Sequence, residues 1–260
     1  MTQTFLLANA IDAPAAAALG LPCCFLCYRA APSGALQRTP LPAVRGGILG
    51  FADLSSLTEA GLSRLLQEVQ SECRRRAYTG VLLPTLPEPA SQALCADLCI
   101  QLEQAGLTVF LPQSLAACSP TAPLLLPGRL SGGRLEEMLD TYADRYGKSR
   151  VCLQLQPCAH QFSIPFRSAC GTPLAPDSLQ RLRQQHAASI RFSPELCTNY
   201  LLLPPASSKD PWQFVLFDDN ASAIQRLHRA TEWGARACFL PYAEWGQAVS
   251  AIVSEIGRPA

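Results

Sequence analysis

Two carboxylates stand side by side at Asp218 and Asp219, with Asn220 directly after them. Adjacent acids shift each other's pKa, so the pair is suited to sharing a proton or gripping a ligand hydroxyl. The same triplet is what a helix start needs, because four orphan amides there require acceptors. On that reading capping is the main role, and one of the two acids still faces a pocket. Glu88 is the other candidate for acid work. It lies four residues past the apolar run Gly80–Pro84, from where it can swing back as a general acid, or it can sit in the first turn of the next helix with Pro89 at N1. Asp53, just past the run Gly47–Ala52, faces the same choice between touching a ligand and capping a helix that begins near Leu57. Gln113, Tyr242 and Trp245 complete the ligand-binding candidates, and the indole of Trp245 offers a flat apolar platform that needs no charge. Trp212 offers the same surface, whereas Trp233 is better placed to anchor the last barrel helix.

Cys23, Cys24 and Cys27 invite a metal or redox reading. They fall within a strand, where alternation sends Cys23 and Cys27 to one side and Cys24 to the other, and no second pair follows at zinc-finger spacing. No metal is expected. Cys95 and Cys99 share a helix face beside Leu94 and Leu98 and read as core. His160, His186 and His228 are scattered, none beside a Ser or Cys nucleophile in a recognisable elbow, so no catalytic triad is expected. Ser131-Gly132-Gly133 lacks the lysine of a phosphate-cradling loop and reads as a helix start, so no cofactor is expected either.

Composition narrows the classes further. The net charge of +1, from 21 basic and 20 acidic side chains, leaves no excess of positive potential to hold a phosphate backbone, which argues against a nucleic-acid partner. Arg74-Arg75-Arg76 is the only basic run, and it sits where cations offset a helix macrodipole. Twelve cysteines spread through 260 residues, several inside apolar strands, read as reduced thiols. Residues Met1 to Gly20 lack a basic n-region and a long apolar core, so a cytoplasmic location is expected. No run is long enough to cross a bilayer, and no membrane partner is expected.

What must position these residues is legible in the pattern. Apolar runs at Thr4–Asn9, Cys23–Tyr28, Gly47–Ala52, Gly80–Pro84, Thr108–Leu111, Pro123–Leu126, Arg150–Gln154 and Ala237–Leu240 alternate with helical stripes. Such runs are what parallel strands covered on both faces require. Eight of them in a chain near the roughly 250 residues typical of such folds predict a single (β/α)8 TIM-like barrel domain over residues 1–260. The clearest helix is Leu57–Arg76, with Leu62, Leu65, Leu66, Val69 and Cys73 on one stripe and Ser56 with Glu59 as a capping box. Other stripes run through Leu94, Leu98 and Leu102; through Leu135, Met138, Leu139 and Tyr142; through Ile224, Leu227 and Thr231; and through Val249, Ile252, Val253 and Ile256. Pro32, Pro40 and Pro42 break Ala30–Gly46, so a loop replaces a barrel helix there. Residues 157–219 form an insertion after strand seven, expected over the carboxyl-end face, with a short helix near Asp177–His186 and a possible strand at Tyr200–Leu203.

Phe217-Asp218-Asp219-Asn220-Ala221-Ser222, followed eleven residues later by Trp233-Gly234-Ala235 and an apolar strand, resembles the last barrel unit of glycoside hydrolase family 18, the chitinases and N-acetylglucosaminidases. Leu130-Ser131-Gly132-Gly133, Phe162-Ser163-Ile164-Pro165 and Phe192-Ser193-Pro194-Glu195-Leu196-Cys197 add weaker support and look like divergent members from spore-forming Firmicutes. In that family strand four ends in an Asp before Gly-Val, two further Asp at alternate positions and a Glu that is the general acid. The Asp nearest the Glu orients the substrate's own acetamido group, which attacks the anomeric carbon. Here the aligned stretch is Tyr78-Thr79-Gly80-Val81-Leu82-Leu83-Pro84-Thr85-Leu86: glycine and valine match and every acid is absent. The Trp that floors the family's sugar subsite falls at about Pro241. The resemblance therefore implies a barrel of glycosidase ancestry that does not hydrolyse, serving as a carbohydrate-binding or scaffold protein in sporulation or envelope remodelling. A rewired hydrolase on N-acetylglucosamine glycans through Glu88 or the Asp218 and Asp219 pair, and a protein-interaction module using Ala30–Gly46, are the alternatives.

Overall fold

The computed structural model describes residues 2–85, 90–128, 134–165, 171–205, 207, 210–246 and 248–256. In chain order the strands are β1 (Gln3–Asn9), β2 (Cys23–Ala30), β3 (Leu36–Arg38), β4 (Ile48–Asp53), β5 (Gly80–Leu82), β6 (Thr108–Pro112), β7 (Leu124–Pro127), β8 (Val151–Gln154), β9 (Ala159–Ile164), β10 (Thr172–Pro173), β11 (Arg191–Ser193), β12 (Thr198–Leu203), β13 (Trp212–Phe217) and β14 (Ala237–Pro241). The helices are α1 (Ala13–Ala17), α2 (Leu62–Arg76), α3 (Ala90–Gln104), α4 (Leu135–Tyr146), α5 (Pro176–Gln185), α6 (Asn220–Trp233), α7 (Tyr242–Trp245) and α8 (Ala248–Ile256). Parallel pairing runs β1, β2, β4, β5, β6, β7, β8, β14 and back to β1, so the sheet closes into an eight-stranded barrel. All eight predicted strands are present. β3 turns back antiparallel onto β2, filling the predicted helix-free stretch between the second and third barrel strands with a hairpin.

Alternation along the strands makes two apolar layers. Phe5, Cys24, Ile48, Leu82, Phe110, Leu125, Cys152, Ala237 and Phe239 fill the lumen, with Leu7 and Leu26 against them. Leu6, Phe25, Leu49, Val81, Val109, Leu124, Val151, Cys238 and Leu240 face outward onto the helices. Cys24 therefore lies inside while Cys23 and Cys27 lie outside, as a period of two requires. Burial pushes the Cys23 thiol up to about 11 and the Cys152 thiol up to about 12, which keeps both protonated. Phe239 stacks on Phe5 at 5.2 Å between centroids and meets the edge of Phe110 at 5.4 Å. The ring of Phe110 has room because Gly80 carries no side chain: a Cβ there would stand 3.1 Å from the ring and 2.6 Å from the Thr108 carbonyl oxygen.

The predicted helix over Leu57–Arg76 begins later than its pattern suggests. A 3-10 turn occupies Glu59–Gly61 and the α-helix starts at Leu62, so the Ser56 and Glu59 capping box does not form. The cause is close contact: Gly34 passes so near Gly61 that a Cβ on Gly34 would meet the Gly61 carbonyl oxygen at 1.8 Å, which fixes the entry angle by backbone contact. The stripe Leu65, Leu66, Val69 and Cys73 is buried as predicted. Glu72 is buried with it. It accepts from Tyr28 Oη at 2.9 Å, Arg76 Nε at 2.9 Å and Arg38 Nη1 at 3.3 Å, and from the Arg75 guanidinium. Arg75 and Arg76 thus do more than offset the helix dipole.

Burial alone would raise the Glu72 carboxyl, but Arg75, Tyr28 and Arg38 together hold it below its ordinary value. A depressed carboxyl contributes stability that is present above the unfolded-state pKa and is lost as pH falls through the folded-state value. Glu72→Gln should therefore cost about 1–3 kcal/mol near neutral pH. It should also flatten the acid limb of stability against pH, read by urea unfolding across the acid range. An unchanged acid limb would contradict this account of the network.

The insertion contains more strand than its sequence suggests. Five strands pair antiparallel in the order β10-β9-β13-β12-β11, where a single possible strand was expected. Leu201, Val215 and Phe217 pack on one face with Leu179 and Leu182 of α5, and Cys158, Phe162 and Leu216 pack on the other with Tyr200 and Phe214. The predicted helix near Asp177–His186 is α5.

Candidate functional site

The carboxyl ends of the barrel strands form the mouth, where barrel enzymes keep their reacting groups. On β5, Gly80 and Leu82 face the lumen and Pro84 follows on the same alternation. Thr79, at the position of the first acid in the resembled motif, spends its hydroxyl on the Gly47 carbonyl at 3.3 Å. Pro112, Pro127 and Pro241 each lie two residues past a lumen residue, Phe110, Leu125 and Phe239, and extend the same wall. Gln154, two past Cys152, and Asn9, two past Leu7, are polar at the same level. Leu86 and Glu88 lie outside the described residues.

The paired acids divide their work and do not face each other. Asp218 and Arg226 form an ion pair at 2.7 Å with both side chains fully buried. The Asp218 carboxylate also accepts from Thr198 Oγ1 at 2.6 Å and from the Cys158 backbone N–H at 2.6 Å. Burial pushes the Asp218 carboxyl up, and the Arg226 guanidinium, the Thr198 hydroxyl and the Cys158 amide oppose that rise. These three donors hold the start of β9, the start of β12 and α6 to the residue directly after β13, tying the insertion to the barrel. Asp219 caps α6, accepting from the Ser222 amide at 3.0 Å and the Ser222 hydroxyl at 3.1 Å. Asp219→Ala should cost about 0.5–2 kcal/mol. The loss should appear as a lower thermal midpoint; an unchanged midpoint would remove the cap from the account.

Asp53 does not cap the helix near Leu57. Its carboxylate accepts from the Ser55 amide at 2.8 Å, an Asx turn at the end of β4, and that contact depresses its pKa. Gln113 donates to Tyr146 Oη of α4 at 3.0 Å. Trp245 is buried and donates its indole N–H to the Leu155 carbonyl at 2.7 Å, so the ring is fixed between barrel and outer helices, with Tyr242 half-buried one turn before it. Trp233 anchors α6 to α4 through Asp140 at 2.8 Å, with Lys148 over its ring at 4.5 Å.

Of the candidates, Asp218, Asp219 and Trp245 come together along one groove of about 590 Å³ between α5 of the insertion and the last two barrel units. Leu174, Pro176 and Leu179 give it an apolar wall, and Arg183, Asn220 and Glu244 a polar one. Its volume is in the range of small-ligand sites. Within it Asp218 is ion-paired and Asp219 caps a helix. Asp53, Gln113 and Tyr242 do not line this groove.

Two pairings escaped the sequence pattern. Cys158 Sγ lies 3.2 Å from His160 Nδ1, so one histidine does have a thiol beside it. The signal was present as an i, i+2 spacing, but only a strand assignment for residues 159–164 puts both on one side. Arg226 is the other. The buried stripe of α6 is Ser222, Ala223, Arg226, Leu227 and Ala230; of the predicted Ile224, Leu227 and Thr231, Leu227 is buried, Ile224 partly buried and Thr231 exposed, and the charge inside the stripe marks the carboxylate above.

No protein-family model matches the chain, and no curated protein matches it by sequence. Solved structures match by shape. The class V chitinase of Nicotiana tobaccum superposes with a TM-score of 0.64 at 9% identity over 99% of each chain. A family 18 chitinase from Cycas revoluta, solved in complex with (GlcNAc)3, gives 0.61 at 12% identity over 98% of each chain. The spore cortex-lytic enzyme SleL of Bacillus cereus gives 0.60 at 12% identity, over 98% of this chain and 74% of that one. At these identities the likeness is one of fold: the barrel has the architecture of the family 18 chitinases.

Proposed function

We propose that this barrel is a hydrolytically silent counterpart of the family 18 glycosidases, acting as a binding or scaffold protein whose ligand is a glycan containing N-acetylglucosamine. The observation that carries the reading is the lumen face of β5 and its continuation, where Leu82 and Pro84 occupy the alternate positions that in the resembled family carry acids. Neither side chain can hold or move a proton, and Pro112, Pro127 and Pro241 extend the same apolar wall. Hydrolysis of a glycoside needs a proton donor within reach of the leaving oxygen. The competing reading, a rewired hydrolase, must rest on Glu88, because Asp218 and Asp219 are committed to an ion pair and a cap. The fold likeness to a spore cortex-lytic enzyme supports a role in envelope remodelling during sporulation.

Binding is tested directly by titrating the protein with chitotriose and following tryptophan fluorescence, with lactose as control. Saturable binding with a dissociation constant of about 1 mM or tighter supports the glycan reading. Equal, unsaturated responses to both sugars would remove the glycan and leave the scaffold role.

A further inference from the structure

The flank of the barrel between the β2–β3 hairpin and α2 holds a polar pocket of about 300 Å³ lined by Tyr28, Leu36, Arg38, Glu68, Ser71, Glu72 and Arg75. None of its lining residues belongs to the mouth or the groove. Three guanidiniums, of Arg38, Arg75 and Arg76, surround the single carboxylate of Glu72, which leaves a surplus of two positive charges. The second acid of the pocket, Glu68, does not reduce that surplus, since Arg64 pairs with it at 2.8 Å and the Leu36 amide with its other oxygen. Glu72 is already saturated: one oxygen accepts from Tyr28, Arg38 and Arg76, and the other from both Nε and Nη2 of Arg75.

The donors left over point to a ligand. Arg38 touches Glu72 through Nη1 alone, at 3.3 Å, and Arg75 uses Nε and Nη2, so each keeps unspent N–H groups. Their side chains are 39% and 55% exposed, while Arg76, at 12%, is held inside by Glu72 and by the Pro42 carbonyl at 3.0 Å. Two reachable forks on a preformed framework, with an uncompensated charge of two and the Ser71 hydroxyl on the same wall, match a tetrahedral dianion. A carboxylate monoanion would leave one charge unmet.

We propose that this pocket is an anion site for a phosphate dianion, either the free ion or a phosphate monoester, with Arg38 and Arg75 as its ligands. It is independent of the glycan reading.

Titrating the full chain with inorganic phosphate near neutral pH, at low and constant ionic strength held with chloride, should give saturable calorimetric binding and a raised thermal midpoint. Arg38→Gln and Arg75→Gln should each weaken phosphate at least about tenfold. Arg74→Gln, whose side chain turns to Gln70 on the same helix, should bind as the native protein does. A midpoint raised no more by phosphate than by chloride would overturn the proposal. So would unchanged affinity in Arg38→Gln and Arg75→Gln, or acetate binding as tightly as phosphate. Phenyl phosphate distinguishes the sources: tighter binding than inorganic phosphate assigns a monoester, and equal or weaker binding assigns the free ion.

Discussion

Replacing Asp218 by Ala should lower the unfolding free energy by about 3–5 kcal/mol, because it leaves the fully buried Arg226 guanidinium with no opposing charge. The Cys158 amide loses its acceptor in the same step, while Thr198 Oγ1 keeps the Phe217 carbonyl at 3.0 Å. The double substitution Asp218→Ala with Arg226→Met removes both charges and should recover a large part of the loss, which separates an ion-pair role from lost packing. Urea unfolding of the two variants and the native chain measures both effects. If Asp218→Ala unfolds at the native midpoint, the pair does not hold the insertion to the barrel and the carboxylate is free for another role.

Phe239→Ala should cost about 3–5 kcal/mol. Phe239 is fully buried in the lumen, stacked on Phe5 and edge-on to Phe110, and neighbours on a closed barrel have little freedom to collapse into the space left. The more telling companion is Leu82→Asp, which restores an acid at a position where the resembled family carries one. Within this lumen the carboxylate meets Phe110, Leu125 and Ile48, so it should destabilise by several kcal/mol or take up a proton. A Leu82→Asp chain with native stability would show that the mouth is wet and polar enough to host the family's acids, against the apolar wall described here.

The barrel was legible in the sequence because its strands are buried on both faces, and such strands read as unbroken apolar runs that need no partner to be recognised. Leu124–Pro127 and Ala237–Pro241 are found that way. The insertion was not legible for the opposite reason. Thr172–Pro173 and Arg191–Ser193 are too short to carry a period, and backbone pairing to β9 and β12 defines them. Trp212–Phe217 is apolar enough to read as a strand, but it runs directly into the Asp218-Asp219 turn and was absorbed into it. Around the acids, the triplet correctly announced a helix start at Asn220, while the partner of Asp218 stayed hidden eight residues on, an arginine inside an apolar stripe. The capping box expected at Ser56 failed because the contact of Gly34 with Gly61, distant in sequence, sets where α2 begins.

Hydrolytic silence is the centre of this account, and an aryl chitobioside tests it most directly. Release of the aryl group by the native chain and by Glu88→Gln should both match the buffer rate. Turnover above buffer by the native chain, abolished in Glu88→Gln, would contradict the account and make Glu88 the acid of a rewired glycosidase.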